Sequence, residues 1–463
     1  MLRGLIYMNP LIIDKISKRF YYYKDSGFIY VKQLLKSFPK DYRFIWVVPD
    51  QIFKKNEQKW FLDAHPNIDF IYYPYPTSIH RNRYDFYGRS ILDALPYTTD
   101  IDFILNNQPE ASGSLRTLFD TAKREKPVII NFYHWIDCEE SRKFSEDLGG
   151  FFYRQAEGFI DADYSAFHSE YAFSLFKNEF KNRFGDSGSD ISEIKSNKVL
   201  NFRPAATKFG SDPIDLSKFN GKKIVLFNHR LNKTTQWKEV VKIFDDLYST
   251  RQDFILWMTD AANKEGAHIA KTYPFVHIEQ VPDNQYGYLI NNSHFSVCNH
   301  KGYSTWNMAA LDSIYNGCFT LIPKREVYLD MFQDYDHADS FFHENIDELK
   351  NKIIILLDSD KISTRTICSN PKLKHLFSPD DSIFNKKILQ SIKDGIGNVP
   401  AKYDKVLDLI KKNTTISKKN LINTLWSFHC NSNFQRMRWR LITQDKIKDD
   451  TKNKFTFYME SAE

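Results

Sequence analysis

Short apolar runs set off by polar, Gly- and Pro-containing segments recur through the N-terminal part of the chain: Leu5–Tyr7, Tyr42–Val48, Ile68–Tyr73, Asp102–Leu105, Val128–Tyr133 and Asp163–Phe167. Runs of this length bounded by turn residues predict strands. Stretches with helical spacing lie between them, the first at Gly27–Lys36. Strands alternating with helices predict βαβ units and a parallel sheet. Residues 1–206 are therefore expected to form one doubly wound α/β domain, with Val199–Pro204 as a strand and Thr207–Asn220 as a linker. The alternation then resumes. Lys223–Phe227, Asp253–Met258, Val276–Ile278, His294–His300 and Phe319–Pro323 predict strands, and Val240, Val241, Ile243, Phe244 and Leu247 recur at helical spacing. Residues 221–395 are expected to form a second domain of the same class. Past Met331 the pattern is helical: Ile346–Leu357 is amphipathic, and 383–395 or 400–412 supplies a further helix. Residues 396–463 are expected to be a helical extension, and 184–193 a flexible insertion rich in Gly, Ser and Asp.

Chemistry concentrates where the second domain begins. The strand ending at Phe227 runs into Asn228-His229-Arg230, then Lys233 and Lys238, then a helix expected from about Thr235. A strand, a cationic loop and a helix N-terminus make a phosphate site, because backbone N–H groups and the helix dipole face the anion and arginine adds planar bidentate donors. The same stretch also reads as a solvated βα loop of an ordinary α/β domain.

A second stretch bears on that choice. His294–His300 leads into Lys301-Gly302-Tyr303-Ser304-Thr305-Trp306-Asn307-Met308, then Leu311-Asp312-Ser313-Ile314-Tyr315-Asn316-Gly317-Cys318, and ends at Pro323. With Asn228-His229-Arg230 some seventy residues earlier, this resembles retaining nucleotide-sugar glycosyltransferases of the GT-B fold, which carry an E-x7-E signature at this place. The branch with nucleic-acid acceptors, phage DNA hydroxymethylpyrimidine glycosyltransferases and tRNA-queuosine mannosyltransferases, is the most similar. The resemblance implies two Rossmann-like doubly wound domains facing across a cleft. It implies a UDP-sugar donor held by Asn228, His229, Arg230, Lys233, Lys238, Tyr303, Ser304, Thr305 and Asp312, with no metal or other cofactor required. The second acidic position of the signature falls on Asp312, expected on the ribose; the first falls on Ser304, a departure that puts the role of the first glutamate in doubt. Ala166–Ala172 also resembles the family stretch that precedes the crossover between domains.

Three loops of the first domain follow strand ends and are candidates for the acceptor side. One carries Arg81 and Arg83 among aromatics, one carries Ser112 and Gly113 before a helix expected from Leu115, and one carries His134 and Asp137. His134, Asp137 and Arg230 are the candidate catalytic residues, the first two holding or deprotonating an acceptor hydroxyl; a capping Asp and a packed His are the alternative. In the tail, Arg436, Arg438 and Arg440 lie on the second of two short helices that resemble a helix-turn-helix; a helical hairpin packed on the domain is the alternative. The expected activity is transfer of a sugar from a UDP-sugar to a hydroxymethylated pyrimidine in phage DNA. Transfer to tRNA, lipid or a surface glycan is the alternative, and an inactive GT-B-like binding protein is a second one.

Composition adds little to this. Sixty-four basic against 58 acidic residues give a formal charge of +6, a mild preference for polyanionic partners. The 38 Phe and 26 Tyr serve mainly as core and surface aromatics. No two of Cys138, Cys298, Cys318, Cys368 and Cys430 form a C-x-x-C pair, so neither zinc nor dithiol chemistry is indicated. With no signal peptide and no long apolar run, the expectation is a cytoplasmic monomer without membrane contact, in an infected bacterial host if the DNA reading holds.

Overall fold

The computed structural model describes residues 2–7, 26–49, 55–73, 86, 88–95, 99–123, 125–142, 151–185, 195–260, 264–300, 304–378 and 383–400. These fall into two compact units. One takes the residues up to Arg142, those up to Phe202 that follow, and those from Phe384 onward; the other takes Arg203–Ile383.

The first unit holds strands β1 (Arg3–Tyr7), β2 (Arg43–Pro49), β3 (Ile68–Tyr73), β4 (Phe103–Asn106), β5 (Val128–Tyr133), β6 (Tyr164–Phe167) and β7 (Val199–Asn201). They form a seven-stranded sheet in the order β3-β2-β1-β4-β5-β6-β7. Every pairing is parallel. Successive side chains of a strand face opposite sides, and both sides are buried. Ile6, Trp46, Leu105 and Ile130 enter one core with Phe28, Val31 and Leu35 of the helix Ser26–Lys36. Leu5, Val47, Ile104 and Ile129 enter the other with Leu115 and Phe119. The helix Ile383–Gly395 returns to the first of these cores through Ile388 and Ile392. A Cβ at Gly395 would come within 2.8 Å of the Val128 side chain, so glycine permits that approach.

The second unit holds β8 (Lys223–Phe227), β9 (Phe254–Met258), β10 (Val276–Ile278), β11 (Phe295–Val297), β12 (Thr320–Pro323) and β13 (Phe342–His343). Their order is β10-β9-β8-β11-β12-β13, again all parallel. The helix Trp237–Tyr248 buries Val240, Val241, Ile243, Phe244 and Leu247, the residues whose spacing predicts it. The two-residue strand β13 has no counterpart among the predicted elements.

Several boundaries differ from the sequence expectation. The helix expected from Leu115 starts earlier, with a 3-10 turn at Pro109–Ala111 and an α-helix from Ser112, because Pro109 at the first helical position needs no N–H partner. The segment 204–212, whose later residues read as linker, is hydrogen-bonded along its length within the second unit. The Gly287 N–H donates to Gly210 O (2.8 Å), the Gly210 N–H to Asp283 O (3.1 Å) and the Asp212 N–H to Asn284 O (2.8 Å). A Cβ on Gly287 would stand 2.6 Å from Gly210 O, so the two backbones meet there only as glycines. The expected insertion at 184–193 lies mostly, and the expected helical extension past Pro400 wholly, outside the described residues. No helix among the described residues is long and apolar enough to cross a membrane.

Candidate functional site

In open α/β sheets, ligands bind beyond the carboxyl ends of the strands where the strand order reverses. In the second unit that point lies between β8 and β11. β8 runs into Asn228-His229-Arg230, and β11 into Cys298-Asn299-His300. Asn228 donates its amide to Ala309 O (3.2 Å) and Ser313 Oγ (2.9 Å), pinning the end of β8 to the helix Met308–Tyr315. Arg230 is exposed, and its guanidinium makes no hydrogen bond or ion pair among the described residues, while its carbonyl accepts from Thr235 Oγ1 at 2.7 Å. Lys233 is exposed in the 3-10 turn Lys233–Thr235, which Asn232 caps. Lys238 lies over the Trp237 ring at 5.2 Å. Glu239, in the first turn of the helix Trp237–Tyr248, accepts from Asn299 Nδ2 at 3.3 Å and so ties that helix to the loop after β11. The loop thus presents two uncommitted cations beside a helix N-terminus, an arrangement suited to a phosphate. His229 is buried against Phe227, its Nε2 without a hydrogen-bond partner. Burial, aided by the neighbouring His300, pushes its pKa down to about 3, so it stands neutral.

The second half of the site is built on the helix Met308–Tyr315. Tyr303 lies outside the described residues. The Ser304 hydroxyl donates to Trp306 O (3.0 Å), a local turn bond, and Thr305 is buried. Asn307 caps the helix by accepting from the Ala310 N–H (3.1 Å), and its amide donates to the buried Tyr328 hydroxyl at 2.7 Å. Asp312, half-buried, accepts the Thr207 N–H at 2.7 Å. Burial pushes its pKa up to about 7, opposed by that hydrogen bond and reinforced by Asp283. Asn316 holds the same segment from both sides, donating to Thr207 O (2.8 Å) and accepting from the Phe209 N–H (3.2 Å). Tyr286 packs edge-on against Phe209, and its burial pushes the phenol pKa up.

In the first unit, Ser112 is fully buried. Its hydroxyl donates to Pro109 O (2.8 Å) and lies 2.7 Å from Asn131 Oδ1, so it and the buried Gly113 belong to the packing beneath the β4 loop. The Asp137 carboxylate accepts the Phe152 N–H (3.0 Å) and caps the helix Phe151–Asp161 from a fully buried position. His134 is half-buried at the end of β5 and meets His168 at the end of β6. Arg81, Arg83, Arg436, Arg438 and Arg440 lie outside the described residues. Among the described residues no group of His, Cys, Asp and Glu could hold a metal ion.

The structure thus joins the Asn228 segment to the helix that carries Asp312. It adds residues that the sequence reading did not single out: Asn299, Glu239, Asn307 and His168. All but Glu239 follow a strand end or precede a helix, which is the signal that could have marked them.

No protein-family profile matches the chain, and no curated protein matches it in sequence. Solved structures match it in fold. HepE from Anabaena in complex with UDP superposes with a TM-score of 0.58 at 12% identity, over 85% of this chain and 100% of that one. Trehalose-6-phosphate synthase OtsA gives 0.58 at 10% identity, over 85% and 99%. A trehalose-6-phosphate structure from E. coli bound with UDP-2-fluoro glucose gives 0.57 at 11% identity, over 84% and 99%. With its two parallel doubly wound sheets of seven and six strands, this chain has the GT-B-like fold of those proteins.

Proposed function

We propose that this chain is a glycosyltransferase that takes its sugar from a UDP-sugar. The observation that carries the proposal is the free guanidinium of Arg230 and the N-terminus of the helix Trp237–Tyr248 beside the β8/β11 switch point, with Asp312 on the helix to which Asn228 is hydrogen-bonded. It is supported by the fold shared with proteins crystallised with UDP and a UDP-sugar analogue. Arg230, with Lys233, receives the diphosphate and stabilises the charge that develops as it leaves, the kind of preorganised electrostatics that contributes most to group transfer. Asp312 takes the ribose hydroxyls when ionised. Retention of configuration and a hydroxymethylated DNA pyrimidine as acceptor are the finer reading, supported by the sequence resemblance and the basic tail; tRNA, lipid and glycan acceptors are the alternative. The test is UDP release from UDP-glucose and other UDP-sugars, with and without hydroxymethylated DNA. A folded protein that neither binds UDP nor releases it from any of them overturns the proposal. UDP binding without turnover under any condition favours the inactive binding protein.

A further inference from the structure

β8 and β9 pair in parallel with Phe227 opposite Met258, and the Thr259 N–H extends the ladder by donating to Phe227 O at 3.3 Å. The next residue, Asp260, therefore leaves the sheet beside the chain that leaves β8. Its carboxylate accepts the Leu231 N–H at 2.9 Å. At the other end of the same peptide unit, the Arg230 carbonyl accepts from two donors. One is the Asn232 N–H at 3.0 Å. The other is the hydroxyl of the buried Thr235 at 2.7 Å, the shorter of that hydroxyl's two contacts, since Asn232 O lies at 3.0 Å. The Thr235 N–H donates to Asn232 Oδ1 at 3.2 Å, which holds the threonine in place.

A peptide unit is planar, so grips on its oxygen and its N–H fix the whole plane and, with it, the Cα of Arg230. The chain just before is also held, because Asn228 is bonded to the helix Met308–Tyr315. The Arg230 side chain thus leaves a backbone secured on both sides. Its guanidinium is exposed and makes no hydrogen bond or ion pair among the described residues. That division of labour suits an anion site. A carboxylate paired with the guanidinium would offset its charge and occupy the planar fork that binds phosphate. Asp260 grips the backbone instead, through a charge-assisted hydrogen bond, and leaves the fork open.

We propose that Asp260, together with Thr235, is a positioning residue for the binding of a diphosphate: the two hold the Arg230–Leu231 peptide so that the Arg230 guanidinium meets the anion from a backbone already in order. That the diphosphate belongs to a UDP-sugar rests on the transferase reading; the grip on the peptide does not. A loop that had to order one residue's backbone as the ligand arrived would bind it about tenfold more weakly. Holding the peptide beforehand removes that cost.

The experiment is a double-substitution cycle on the full chain. UDP affinity is read by titration calorimetry for the unaltered protein, Asp260→Ala, Arg230→Ala and the two together, with thermal unfolding to confirm that each folds. Asp260→Ala should weaken UDP binding about tenfold. Asp260→Asn, whose side-chain oxygen still accepts the Leu231 N–H, should keep most of the affinity. In the Arg230→Ala background Asp260→Ala should cost nothing further, because it acts through the arginine. A residue that merely supports the fold, or that touches the nucleotide itself, would weaken both backgrounds alike, and that result overturns the proposal. Thr235→Val should weaken UDP binding and Thr235→Ser should not, a second pair that decides the matter if Asp260→Ala fails to fold. Hydrogen exchange at the Leu231 amide should be slow in the unaltered protein and about tenfold faster in Asp260→Ala. Free exchange there in the unaltered protein overturns the grip whether or not UDP binds. Absence of UDP binding by the unaltered protein overturns the transferase reading and takes the diphosphate role with it, whereas UDP binding with an additive cycle overturns the positioning role alone.

Discussion

Replacing Asp312 by asparagine should stabilise the protein at alkaline pH while weakening its hold on UDP. Asp312 titrates at about 7 in the folded chain against 3.8 for the ordinary group, chiefly because burial disfavours the charged form. A group whose folded pKa is raised contributes stability that is fully present below its unfolded pKa and is lost as pH rises through the folded value. The window here is therefore roughly pH 4 to 7. One pKa unit corresponds to about 1.4 kcal/mol, which sets a ceiling of about 4 kcal/mol for the loss. Asp312 is only half-buried, so relaxation and solvent screening reduce this to about 1–3 kcal/mol. Asparagine keeps a carbonyl oxygen for the Thr207 N–H, now accepted at 2.7 Å, and cannot ionise. Thermal unfolding of both proteins should coincide near pH 4.5 and diverge by pH 8, with the Asn variant higher. The same substitution removes the charged acceptor for the ribose, so UDP affinity measured by titration calorimetry should fall several-fold at pH 8. In the unaltered protein that affinity should weaken as pH drops below about 7. Parallel unfolding curves for the two proteins from pH 4.5 to 8 would refute the electrostatic argument. An unchanged UDP affinity would remove Asp312 from the nucleotide.

Arg230→Ala removes a charge-assisted contact worth about 1.5–3 kcal/mol, so UDP-sugar turnover should drop at least about tenfold with the thermal midpoint unchanged; normal turnover would place the phosphate elsewhere. Asn307→Ala deletes a helix cap and its bond to Tyr328, and should cost about 1–2 kcal/mol in urea unfolding. Asp330→Ala takes from the buried Arg203 the carboxylate 2.9 Å away and should cost about 3–5 kcal/mol; a cost below about 1 kcal/mol would mean that the remaining contacts of the guanidinium, such as that to His375 at 3.3 Å, compensate the charge. For the tail, replacing Arg436, Arg438 and Arg440 together by alanine should weaken duplex DNA binding and flatten its salt dependence, by close to one unit of slope per lost phosphate contact. Identical binding across salt concentrations would discard the tail as a nucleic-acid contact.

The long strands were legible because both faces are buried: β5, Val-Ile-Ile-Asn-Phe-Tyr, has no exposed position to interrupt the run. β13 was not, since two residues carry no period. Residues 207–212 read as linker because backbone groups and the side chains of Asp312, Asn316 and Asn284 hold much of them, and such bonds leave no hydrophobic pattern behind. The loop after β8 was legible as a cationic strand–loop–helix, yet its Asn228 proved to brace a helix, a role that needs Ser313 brought alongside from far along the chain. Asp137 reads equally as an acid–base group or a cap until Phe152 is seen to donate to it. His134 and His168 stand thirty-four residues apart, and only the β5–β6 register discloses that they are neighbours.

The return of Ile388 and Ile392 to a core begun at Ile6 has a consequence for synthesis on the ribosome. Among the described residues the second unit, Arg203–Ile383, is one continuous stretch and can close as soon as it has emerged. The first has to wait for the helix Ile383–Gly395. At about 5–20 residues per second, the chain between Phe202 and Phe384 takes roughly 10–40 s to make. Throughout that interval the part of that core which Ile388 and Ile392 fill, beside the Val128 that Gly395 approaches, lacks its cover. Ribosome-bound chains halted before Phe384 should therefore engage ribosome-associated chaperones through the first unit more strongly than chains halted beyond Pro400.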